Sequence, residues 1–200
     1  MRTGAHPARR RSLLLVAAGI LTVVLTACTG RGGGQLPPQS PTFNGAASFG
    51  FSFSCEDSGG LNPPTGQLRI ELAYTERSTG LLTKPFGIHG IVDTIDPVLE
   101  SAICIGQNPP PGGNELIFLG RYRTTSSPAP STFPKACKQT TPTCRFEVIV
   151  RDNDGNLAPS PGDFFQISLS STTAVVSELD PTTVFYTRAG LLSAGNLTVD

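Results

Sequence analysis

The chain has 200 residues, with 15 Lys and Arg against 15 Asp and Glu and a formal net charge of zero. Four of the basic residues (Arg2, Arg9, Arg10, Arg11) and none of the acidic ones fall in the first 27 positions, so the 173 residues beyond carry 11 basic and 15 acidic side chains, a net charge of −4. Without a basic stripe to neutralise phosphates, that composition argues against nucleic-acid binding; 22 Gly, 18 Pro and only 15% charged residues suit one β-rich domain with many turns.

The basic start is followed by an apolar run from Leu13 to Leu25 and the tetrapeptide Leu25-Thr26-Ala27-Cys28. A positive stretch, an apolar stretch and small residues before a cleavage point make a secretory signal. The 15 residues from Leu13 to Ala27, with Thr22 and Thr26 among them, fall short of the roughly 20 apolar residues needed to span a bilayer. The ending on cysteine resembles the lipobox of bacterial lipoproteins. That resemblance implies removal of residues 1–27, a diacylglyceryl thioether and palmitate on Cys28, and a place on the extracytoplasmic face of the cell membrane. Two acyl chains anchor stably where one does not. Arg10-Arg11-Ser12-Leu13-Leu14 also loosely resembles a twin-arginine export address.

Residues 28–44 (Gly32-Gly33-Gly34, Pro37-Pro38, Pro41) show no apolar periodicity and read as a lipidated cysteine followed by a flexible tether of roughly 20–24 Å span. Residues 45–200 read as a single β-domain. Phe49, Phe51, Phe53 and Cys55 alternate with small polar residues, as do Leu68, Ile70, Leu72 and Tyr74 with Arg69, Glu71, Ala73 and Thr75, the period-2 mark of half-buried strands. Further strands are expected over 85–93, 101–105, 115–123, 145–152, 164–170, 184–187 and 196–199, with no helical stripe anywhere. The expectation is an all-β, antiparallel sandwich or Greek-key barrel of about nine short strands, a monomer, with long loops at 106–114 and 124–144.

If Cys28 carries lipid, Cys55, Cys104, Cys137 and Cys144 remain, an even number that in an exported protein reads as two disulfides. Three pairings can be drawn. Cys137–Cys144 with Cys55–Cys104 is favoured, the first clipping a short loop and worth about 2.5 kcal/mol, the second closing a long one worth about 4 kcal/mol. None of the spacings is C-x-x-C, which argues against zinc.

The strongest polar cluster is Asp152-Asn153-Asp154-Gly155-Asn156 with Asp163 beyond it. Asp152, Asp154 and Asp163 offer oxygen ligands for calcium, although the glutamate that ends an EF-hand loop is missing; the competing reading is a turn whose Asp and Asn bond the backbone. His89, the single histidine after position 27, sits mid-strand with no G-x-S-x-G serine to activate, and reads as a surface or hydrogen-bonded side chain. Arg121 and Arg123 share one strand face and could meet an anion. Glu56-Asp57 and Asp93/Asp96 read as solvated strand ends.

The stretches Ala47-Ser48-Phe49-Gly50-Phe51, Pro64-Thr65-Gly66-Gln67-Leu68, Ile88-His89-Gly90, Phe146 to Asp154 running on through Pro161-Gly162-Asp163-Phe164-Phe165-Gln166-Ile167-Ser168, and Gly195-Asn196-Leu197-Thr198-Val199 resemble, in order, the post-COAP domain of exported actinobacterial proteins. The resemblance implies a secreted all-β module and transfers no catalytic residue; the Pro-rich 106–114 and 124–144 stretches depart from it. The expected function is that of a non-enzymatic, lipid-anchored envelope domain that binds a ligand or partner or plays a structural part. The alternative is a secreted hydrolase with its site in the two long loops.

Overall fold

A computed structural model describes residues 28–56, 67–80, 84–91, 114–153, 162–174, 176 and 178–199. Nine strands form one antiparallel sheet: β1 (Cys28–Leu36), β2 (Ala47–Glu56), β3 (Gln67–Glu76), β4 (Phe86–Ile91), β5 (Glu115–Thr124), β6 (Cys144–Arg151), β7 (Phe164–Ser170), β8 (Val184–Leu191) and β9 (Ala194–Val199). The sheet order is β8-β7-β6-β5-β4-β3-β2-β1-β9, so each strand from β1 to β8 pairs with its successor and β9 returns beside β1. The all-β antiparallel expectation holds; the connectivity is a meander in one curled sheet, which antiparallel neighbours allow without a crossing connection. The expected strand at 101–105 lies outside the described residues, as do Cys104, Asp154 and the loop 106–113.

The two edges of the sheet are joined by the chain itself. β8 ends at Leu191 on one edge and β9 begins at Ala194 on the other, with two residues between them. Two linking residues reach roughly 10 Å at most, so the edges meet. Leu192 N–H donates to Asp163 O and Ser193 N–H to Gln35 O, both at 2.9 Å. Residues 184–199 thus act as one closing run, its first half paired with β7 and its second half with β1. Counted that way eight strands surround the interior, a number whose bore side chains can fill.

They do fill it. Phe49 stacks on Phe165 with centroids 3.6 Å apart, and Phe118 lies 5.4 and 5.5 Å from Phe51 and Phe53. Phe146, Val148, Leu169 and Leu197 are fully buried with them. Each large apolar side chain so buried contributes about 1.5–3 kcal/mol. The period-2 pattern of β2, β3 and β6 is what delivers these residues to one face.

The expected flexible tether is corrected. Residues 28–36 are β1, paired with β2 over nine positions and with β9 over six. The reason is steric. Gly30, Gly32 and Gly34 alternate along the inner face, where an added Cβ would fall within 3.0 Å of Leu116, Leu197 and Leu192 side chains respectively. The neighbours occupy the space that β1 leaves, and Leu36 completes the alternation, fully buried. Residues 37–46 are the loop that follows.

Candidate functional site

The described cleft with the clearest polar lining opens at one end of the sheet, where β3 ends and β4 begins. It measures about 360 Å³ and is lined by Thr75, Glu76, Arg77, Pro85, Phe86, Gly87, Thr125 and Ser126. Strand alternation assigns these residues to two sides. Thr75, Arg77 and Thr125 are exposed, whereas Glu76 and Phe86 are buried. Ladder bonds brace the floor: Thr125 N–H donates to Gly87 O at 2.8 Å, and Gly87 N–H donates to Ser126 Oγ at 2.8 Å. Gly87 fits here because a Cβ would run into the Thr125 hydroxyl.

Behind the cleft lies a buried polar network. Glu76 Oε1 accepts Ser78 N–H at 2.9 Å, and Oε2 accepts the Tyr186 hydroxyl at 2.7 Å and the Tyr74 hydroxyl at 3.2 Å. The two phenol oxygens are 2.6 Å apart. Arg188 Nη1 stands 3.8 Å from Glu76 Oε2, with both side chains at 0% exposure. Burial raises the titration of both Tyr74 and Tyr186, with Glu76 adding to the effect. Both stay neutral donors, which is what the carboxylate requires.

Arg188 also fastens the loop 37–46 across this end of the sheet. Its Nη2 donates to Pro37 O at 2.7 Å and Gly45 O at 3.2 Å, and its guanidinium lies 4.3 Å from the Phe43 ring centroid. Gln39 Nε2 adds a bond to Ala189 O at 2.7 Å on the outer strand β8. A cation over an aromatic face in a dry setting is worth about 2 kcal/mol.

The residues singled out from sequence are scattered. Asp163 is fully buried; its Oδ1 accepts Asn153 N–H at 3.0 Å and its Oδ2 accepts Leu197 N–H at 2.8 Å. It therefore bonds backbone amides distant in sequence and ties β9 to the start of β7. Asp152 is buried nearby, its N–H donating to Asn114 O at 2.8 Å. No group of three metal-ligating side chains occurs among the described residues. His89 stands on the outer face, its Nε2 2.9 Å from Glu71 Oε2, and does not line the cleft. Arg121 faces the same way and reaches Pro142 O at 3.5 Å. It lies directly across from Arg145, whose Nε and Nη2 donate to Ala174 O and Thr173 O. Arg123 is opposite His89 in the ladder.

Cys137 and Cys144 form a disulfide with Cα atoms 5.3 Å apart, joining a 3₁₀ turn (Lys135–Lys138) to β6. Cys28 is the first residue of β1 and is in register with Cys55 of β2. No helix among the described residues is long and apolar enough to cross a membrane.

Sequence reasoning placed none of the cleft or network residues in a site. Glu76 and Arg188 are 112 positions apart. The available signal was that Glu76, continuing the Leu72/Tyr74 alternation, puts a carboxylate on the inner face of β3. No protein family, curated protein or solved structure matches the chain.

Proposed function

We propose that the chain is a lipid-anchored envelope module whose β-domain binds a ligand at the cleft beside Glu76. The observation that carries the anchor is the Leu25-Thr26-Ala27-Cys28 signal, with its basic start and apolar run before the cysteine. The absence of a tether changes the expected arrangement. Cys28 is level with Cys55 and, through β2, with Leu68. Glu76 lies eight residues further along β3, roughly 26 Å away at 3.3 Å per residue. Acyl chains on Cys28 would hold that end of the sheet against the bilayer and leave the cleft facing away from it. Lipid on Cys28 also leaves Cys55 and Cys104 as the remaining cysteine pair. The filled interior favours binding at the end of the sheet over carriage of a ligand inside it. At this cleft the binding reading is preferred to a serine hydrolase because the described lining places no histidine beside Ser126.

The test is metabolic labelling with an alkyne fatty acid, followed by mass analysis of the N-terminal peptide. The full chain should partition with membranes, lack residues 1–27 and carry a diacylglyceryl group on Cys28; the Cys28→Ala variant should be unlabelled. Unlabelled wild-type protein, or label that survives in Cys28→Ala, overturns the anchor.

A further inference from the structure

We infer that the cleft takes a compact organic anion, a phosphate or carboxylate carried on a body with an apolar or ring-shaped face. The inference deepens the binding half of the reading above, and only its choice of a soluble anion over a lipid headgroup rests on the anchor at Cys28. Its basis is the one-sided chemistry of the lining. Every exposed polar side chain of the described lining can donate. Thr75 and Thr125 are exposed and carry hydroxyls. Ser126 Oγ accepts Gly87 N–H, which leaves its own hydrogen to donate outward. Arg77 is exposed and makes no ion pair among the described residues.

The one carboxylate in the described wall does not oppose an incoming anion as its position suggests. Glu76 turns both oxygens inward, where Ser78 N–H, two phenols and Arg188 neutralise and saturate it. The N–H and C=O of Gly87 on the floor are also used, by Ser126 Oγ and Thr125 N–H. Acceptor-rich ligands are matched by such a set and donor-rich ones are not. Lys84 is exposed immediately before Pro85 and adds positive charge at the rim. The remaining apolar wall is the exposed ring of Pro85, which accepts a ring or short apolar segment, while Phe86 behind it belongs to the buried core. At about 360 Å³ the cleft sits at the small end of the usual roughly 300–1,000 Å³ range for ligand sites. Its place, distant from Cys28 along β3, favours a soluble or polymer-borne anion over a headgroup of the anchoring membrane.

The experiment is calorimetric titration of the full chain in non-ionic detergent. The probes are glucose 6-phosphate, glucuronate, uncharged glucose, and phosphatidylcholine vesicles with and without phosphatidylglycerol. Saturable binding of at least one soluble anion with a Kd below about 10 mM, weakening with salt and absent for glucose, is the expected result. Arg77→Ala should weaken it roughly tenfold and Arg77→Lys should restore most of it, with both melting temperatures unchanged because Arg77 is exposed. Equal binding of glucose, binding of phosphatidylglycerol vesicles alone, full affinity in Arg77→Ala, or no saturable binding of any soluble anion overturns the inference. Lipid on Cys28 is read by mass on the same preparation, so failure at the cleft and failure of the anchor are separate results.

Discussion

Replacing Asp163 by alanine should open the seam at which the sheet closes on itself. The carboxylate holds two backbone N–H groups, Leu197 at 2.8 Å and Asn153 at 3.0 Å, and is itself fully buried. A hydrogen bond to a charged group is worth about 1.5–3 kcal/mol, and an orphaned buried donor costs about 1–3 kcal/mol. Leu197 is buried, so its amide keeps the full penalty; Asn153 is exposed and its amide can turn to water. The sum for Asp163→Ala is about 3–5 kcal/mol. At roughly 2–4 °C per kcal/mol for a domain of this size, the melting temperature should fall by about 6–20 °C. Asp163→Asn keeps one acceptor oxygen but turns an amide NH₂ toward an N–H, and should lose about half as much. Thermal unfolding followed by circular dichroism gives the size of the effect, and amide exchange gives its place: Leu197 and Leu192 should exchange faster while Leu72 and Ile88, on β3 and β4 across the sheet from the seam, change less. A melting temperature within about 2 °C of wild type, or faster exchange spread evenly over the sheet, would refute the reasoning.

Three further perturbations address other parts of the fold. Arg188→Leu leaves Glu76 buried without its cation and should cost about 3–5 kcal/mol in urea unfolding, whereas adding Glu76→Leu should recover much of the loss, because an apolar replacement of a buried pair is often neutral; additive losses would show that the two side chains are not coupled. Gly32→Ala should destabilise by about 1–3 kcal/mol through overlap with Leu197 and the Asn196 carbonyl, where a flexible tether would register nothing. The Glu147 carboxyl is raised above its ordinary value by burial and by Glu178 close by. The folded state therefore binds more protons than the unfolded chain in the window just above the ordinary value of 4.5, and stability should decline as pH rises through it. Glu147→Gln should flatten that decline and raise the melting temperature at neutral pH; an unchanged slope would count against a buried carboxylate.

Much of the sheet was legible because burial on one face imposes a period of two. Phe49/Phe51/Phe53 and Leu68/Ile70/Leu72/Tyr74 carry that period in large side chains, and β2 and β3 lie where the pattern puts them. β1 carries the same period in its absences. A pattern read by hydrophobicity registers Gly30, Gly32 and Gly34 as flexible, although three alternating glycines ending on Leu36 equally describe a strand pressed against bulky neighbours. β8 was under-read because Tyr186 and Arg188 interrupt the apolar alternation with groups that are satisfied only by Glu76 and the loop 37–46, far away in sequence. Asp163 looked like a ligand because its local neighbours are polar; its decisive partner, Leu197, is 34 positions on. The cleft was invisible for the same reason, its donors coming from three separate strand ends.

The closing run 184–199 bears on how the chain folds. Gly30 of β1 pairs with Val199 of β9, so two segments separated by nearly the whole described sequence must find each other. Such a contact has a high loop-closure cost and forms late. Until residue 199 has emerged, β1 presents an open edge with glycines where its neighbours' side chains will later sit, an edge able to pair with any other extended chain. The final six-residue strand is therefore the step that commits the chain to the native sheet.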